Sequence, residues 1–135
     1  MKKQIAAGLL TVLLMGCAGS TTQLTPTAAA PQAVGTVELE KSDNKNTVGR
    51  LEVKHLAPPE NLGNGETVYV TWVRPTGTPE WQNVGQLVID EDRSGRLDLV
   101  VPYSEFDLFV TAEQSGEATQ PGDLVVLRGQ VSQQQ

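Results

Sequence analysis

The chain has 135 residues, 39% apolar and 19% charged, which suits one ordinary globular domain rather than a disordered or fibrous chain. Sixteen Asp and Glu against ten Lys and Arg give a formal charge of −6, so the surface repels phosphate backbones and nucleic-acid binding is excluded. Thirteen glycines and eight prolines favour strands and turns over long helices, and a single cysteine excludes an intramolecular disulfide.

In chain order, the first element is a signal. Lys2 and Lys3 precede an apolar run from Ile5 to Met15, and small residues surround Cys17. The run is about half of the ~20 apolar residues a membrane-spanning helix needs. Leu14-Met15-Gly16-Cys17 resembles a bacterial lipobox. That resemblance implies a signal peptide over 1–16, cleavage before Cys17, and acyl chains on Cys17, with palmitate among them. Ala18 is not aspartate, which by resemblance to the enterobacterial sorting rule favours the outer membrane, on its periplasmic side. Cleavage removes Lys2 and Lys3 and leaves eight basic against sixteen acidic residues, a formal charge of −8. Attachment to the membrane would therefore come from the N-terminal lipid and not from a basic patch.

After Cys17 the chain reads small, polar and proline-punctuated to Ala33. Residues 17–33 are expected to be a flexible linker, holding the domain about 20–25 Å from the lipid. From Val34 the pattern becomes short apolar runs of period two. Strands are expected at Val34–Glu40, Val48–Leu56, Glu66–Arg74, Val84–Asp90, Arg96–Val101, Phe106–Glu113 and Leu124–Val131. Turn signals separate them, among them Gly63-Asn64-Gly65, Ser94-Gly95 and Pro121-Gly122. In the third strand Val68, Val70 and Trp72 share one face, which predicts Trp72 in the core. The fold class is all-β: a small immunoglobulin-like β-sandwich of about seven strands over 34–131, with 132–135 a frayed tail.

One stretch carries a family likeness. Tyr69-Val70-Thr71-Trp72-Val73, Pro75, Gly77 and Gly85-Gln86-Leu87 are followed by Phe106-Asp107-Leu108-Phe109-Val110-Thr111-Ala112-Glu113, then Pro121-Gly122 and Val126-Leu127-Arg128-Gly129. This region, a little under half of the chain, resembles the extracytoplasmic domain of the anti-sigma-K factor family. The resemblance implies a β-sandwich outside the cytoplasm. Members of that family also carry a cytoplasmic sigma-binding domain and a spanning helix. Neither is expected here, so the likeness implies fold and compartment rather than anti-sigma activity.

The inventory of reactive groups is short. Asp90-Glu91-Asp92-Arg93-Ser94-Gly95 opens like a calcium loop, but the twelfth position is Val101 where a bidentate Glu is needed, and a hairpin turn with Gly95 at positive φ is the competing reading. His55, the sole histidine, could act as a pH sensor or be a strand-end residue with a local hydrogen bond. One histidine and a lipidated cysteine assemble neither a zinc site nor a catalytic triad, and no Gly-x-Ser-x-Gly elbow or phosphate loop is present. No catalytic residue, metal, cofactor or small-molecule substrate is therefore expected. Trp81 follows Pro79-Glu80 in a loop. It could cap the open end of the core or anchor a protein or glycan partner. The expected function is a non-catalytic envelope lipoprotein whose sandwich binds or scaffolds an envelope protein. The alternatives are a regulatory module related to the anti-sigma domain and, less favoured, a small envelope enzyme.

Overall fold

The computed structural model describes residues 20–133. The signal segment 1–16, Cys17, and the last two residues of the tail lie outside the described residues. Among the described residues nine strands run in chain order: β1 (Ser20–Gln23), β2 (Thr25–Pro26), β3 (Val34–Lys41), β4 (Thr47–Lys54), β5 (Val68–Pro75), β6 (Gln82–Leu87), β7 (Gly95–Val101), β8 (Glu105–Glu113) and β9 (Val125–Ser132). They form two antiparallel sheets, β1-β3-β4-β7 and β2-β9-β8-β5-β6. The seven strands read from the sequence are all present. Their order sets β3-β4-β7 against β9-β8-β5, the arrangement of an immunoglobulin-type sandwich, with β6 on the second sheet.

Alternation makes the layers. In β4, Thr47, Gly49, Leu51 and Val53 are buried while Val48, Arg50, Glu52 and Lys54 are exposed. Val37 and Leu39 of β3 pair with Leu51 and Gly49, so one sheet turns a continuous apolar face inward. The other sheet answers with Tyr69, Val73, Phe106, Leu108, Val110, Leu127 and Val131, each at most 1% exposed. Outward residues on the first sheet form cross-strand charge pairs, Arg50 with Asp98 at 3.3 Å and Arg96 with Glu52 at 3.8 Å. At that exposure each contributes about 0–1 kcal/mol, so they favour register and solubility more than stability.

The stretch expected to be a flexible linker belongs to the sandwich from Ser20 onward. β1 pairs with β3 across Ser20↔Leu39 to Gln23↔Thr36, and β2 pairs with β9. Between them Leu24 is 5% exposed and closes the gap between the sheets. Its seat exists because two facing positions have no side chain. A Cβ on Gly129 would stand 2.7 Å from Leu24 Cδ2, and one on Gly35 would stand 3.2 Å from Leu24 Cδ1. Leu24 N–H donates to the Gly35 carbonyl at 2.8 Å, and Thr27 binds β9 through Oγ1 donating to the Val125 carbonyl at 2.6 Å. The domain boundary therefore moves from Val34 to Ser20. At the other end Ser132 is in β9 and Gln133 N–H donates to the Ser104 carbonyl, so neither belongs to a frayed tail.

β5 is buried on both faces. Tyr69 and Val73 enter the core between the sheets, whereas Trp72, 0% exposed, lies on the opposite face and outside the core cluster. Trp72 is thus buried as expected but on the other side. The segment 114–124 folds over it. Trp72 Nε1–H donates to Thr111 Oγ1 at 2.8 Å, Thr111 Oγ1 donates to Glu113 Oε2, and Gly122 N–H donates to the same carboxylate at 2.8 Å. Asn83 holds the segment from the other side, donating to the Gly116 and Ala118 carbonyls at 3.0 Å.

Candidate contact surface

Trp81 immediately precedes β6, and its ring lies on the outer face of the five-stranded sheet. The ring stacks on Phe109 with centroids 4.2 Å apart and planes 25° apart. The Arg74 guanidinium carbon lies 4.4 Å from the Trp81 ring centroid. Arg74 is itself fixed by Asp107, Nε–H to Oδ2 at 2.9 Å, across the register pair Arg74↔Asp107. Trp81 is therefore half-buried on a sheet face. It does not cap the open end of the core, and it is not a side chain loose in a loop. A hollow beside it, about 300 Å³, is lined by Pro79, Glu80, Thr119, Gln120 and Pro121.

The arrangement holds an indole edge rigidly next to amide, hydroxyl and carboxylate groups. Holding the ring in advance removes most of the ordering cost that a contact would otherwise incur. Arg74, Asp107 and Phe109 were not singled out by the sequence reading. The available signal was parity: Phe106, Leu108 and Val110 share one face of β8, which leaves Asp107 and Phe109 on the outside.

The other singled-out residues are scattered. The Asp90 turn is closed by the Asp90 side chain: its Oδ1 accepts from Asp92 N–H at 2.9 Å and Ser94 N–H at 3.0 Å. Arg93, at φ 63, supplies the left-handed residue there in place of Gly95. Gly95 is needed for closeness, since a Cβ there would sit 2.5 Å from the Val88 carbonyl oxygen. His55 is exposed at the end of β4, at φ 60, far along the strands from Ser20. Among the described residues no group of three or more His, Cys, Asp or Glu is placed to hold a metal ion, and no helix is long and apolar enough to cross a membrane. No protein-family model matches the chain, and no curated protein matches it.

Proposed function

We propose that this protein is a lipid-anchored envelope protein, held to the membrane through Cys17, whose β-sandwich works by contact rather than catalysis. The observation that carries the reading is the position of Cys17 in the lipobox-like Leu14-Met15-Gly16-Cys17, three residues before β1 begins. Outer-membrane attachment facing the periplasm is the favoured location, from Ala18. The contact surface is the outer face around Trp81, because Phe109 and the Arg74–Asp107 pair hold the indole in place. An envelope protein is the partner of choice: tryptophan and arginine dominate interface energetics, and both are here already ordered.

The test has two arms. Metabolic labelling with a clickable fatty acid marks the wild-type chain and leaves Cys17→Ser unmarked. Trp81→Ala keeps the label, loses about 1–2 kcal/mol of stability from the stack and the cation–π contact, and loses most of the partner recovered from cross-linked membranes. Equal labelling of wild type and Cys17→Ser overturns the anchor. An unchanged partner profile for Trp81→Ala overturns the contact surface.

A further inference from the structure

A second hollow lies at the end of the sandwich where β3 begins and β4 ends. Its volume is about 160 Å³, and Ala29, Ala30, Leu56, Leu62 and Tyr69 give it an apolar lining. Leu56 and Tyr69 are buried, so they form its floor, while the exposed Gln32, His55 and Arg93 stand at its mouth. All three mouth residues offer N–H donors.

Two features set this hollow apart. The first is charge. The domain carries twice as many acidic as basic residues. The other hollows share that character: Glu80 lines the one beside Trp81, Glu66, Glu113 and Asp123 another, Glu38, Glu40 and Asp98 against Arg50 a third, and Glu60 a fourth. The lining of the hollow at His55 itself has no carboxylate and one guanidinium, with Glu60 and the Asp90–Asp92 turn at the same end but outside the lining, and Arg93 makes no ion pair among the described residues. The second is strain. His55 and Arg93 both adopt left-handed backbone conformations, at φ 60 and 63, which L-residues with a Cβ rarely occupy. The Leu56 N–H donates to the Arg93 carbonyl at 3.1 Å, which locks the two strained residues together across the mouth. Arg93 takes this conformation within the Asp90–Gly95 turn and His55 at the end of β4, so the backbone fixes both sides of the mouth.

We propose that this hollow is a binding site for a carboxylate borne on an apolar body of about six carbons, close to the size of group that a cavity of ~150 Å³ accepts. The body fills the space over Leu56 and Tyr69. The carboxylate meets the Arg93 guanidinium and the donors of His55 and Gln32, as charge-assisted hydrogen bonds. The C-terminus of a peptide ending in an aliphatic residue and a free short-chain acid both present this chemistry. The site does not depend on lipid attachment or on the Trp81 surface.

The experiment is a titration of the purified, 15N-labelled full chain, followed by amide shifts, with N-acetyl-leucine, hexanoate and N-acetyl-leucinamide as probes. The expected result is saturable shifts centred on His55, Leu56 and Arg93, with one or both acids binding at least about tenfold tighter than the amide. Tighter binding of N-acetyl-leucine assigns a peptide terminus, and tighter binding of hexanoate assigns a free acid. Arg93→Asn, which keeps a residue tolerant of the left-handed conformation, is expected to weaken acid binding about tenfold. Equal affinity for acid and amide, shifts centred elsewhere, no saturation up to about 50 mM, or unchanged binding by Arg93→Asn overturns the proposal.

Discussion

At Tyr69 the fold has placed a phenol on the core face of β5, 1% exposed, with its hydroxyl donating to the Ala57 carbonyl at 2.6 Å. Burial first, and the Glu60 charge second, push its pKa from 10.0 up to about 12. In the unfolded chain the phenol loses its proton near pH 10, while the folded chain keeps it until about pH 12. Within that window the unfolded state binds fewer protons, so stability is complete below pH 10 and is lost as pH rises to 12. At 1.36 kcal/mol per pH unit the loss reaches about 2–3 kcal/mol. Urea unfolding across this range is expected to show that excess fall in the wild type relative to Tyr69→Phe. Tyr69→Phe itself costs about 1 kcal/mol near neutrality. Parallel curves for the two chains would mean that Tyr69 ionises freely in the fold. Two positions along the strand, Thr71 is also buried, and its Oγ1 has no hydrogen-bond partner. Thr71→Val keeps the shape and removes the unpaired hydroxyl, so it is expected to raise stability by about 1 kcal/mol, read from the urea midpoint. A loss of that size would show that the hydroxyl is satisfied in solution.

At the scale of elements, β1 and β2 decide where the domain starts. Removing residues 20–33 would empty the Leu24 seat over Gly35 and Gly129 and leave the edges of β3 and β9 unpaired. Losing Leu24 alone corresponds to a core truncation of about 2–3 kcal/mol, so a chain beginning at Val34 is expected to unfold at a much lower urea concentration than one beginning at Ser20. Equal midpoints would show the two strands to be decoration. Most of the seven later strands were legible because apolar residues recur at period two, as Leu51 and Val53 do in β4 and Phe106, Leu108 and Val110 do in β8. β1 and β2 were not, because Leu24 is the one large apolar residue between Ser20 and Ala33 and gives no period. Their trace was chemical: Thr21, Thr22, Thr25 and Thr27 are β-branched residues suited to strands. The face of Trp72 was illegible for a different reason. Every residue from Tyr69 to Val73 is buried, because the 114–124 segment covers the outer face, so parity carried no signal. Trp81 was visible in the sequence as an outlying tryptophan. Its setting on Phe109 and Arg74 needed the register of β5 with β8.

At the scale of the whole molecule, the short lead into β1 changes how an anchored sandwich would stand. Cys17 precedes Ser20 by three residues, a reach of at most about 11 Å, where a flexible linker of sixteen residues would have allowed 20–25 Å. Ser20 pairs with Leu39 and its hydroxyl donates to the Ser132 carbonyl, which places it at the end carrying the Lys41–Asn46 turn. The mouth at His55 and Arg93 lies at the opposite end, about 25 Å away along eight-residue strands. The turns at the Ser20 end carry Lys41 and Lys45 against Asp43, Glu80 and Glu105. The far end carries Glu60, Glu66, Asp90, Glu91 and Asp92 against Lys54 and Arg93, so a lipid on Cys17 would bring the less acidic end to the headgroups. An anchored sandwich would therefore stand end-on, Ser20 end inward, with the His55 hollow facing away. The most direct measurement is paramagnetic relaxation by headgroup-spin-labelled lipid, applied to the acylated chain in vesicles. Strong broadening of Lys41–Asn46 and Ser104 amides with His55, Leu56 and Arg93 spared is the predicted result. Broadening spread evenly over both ends, or strongest at His55, would contradict it.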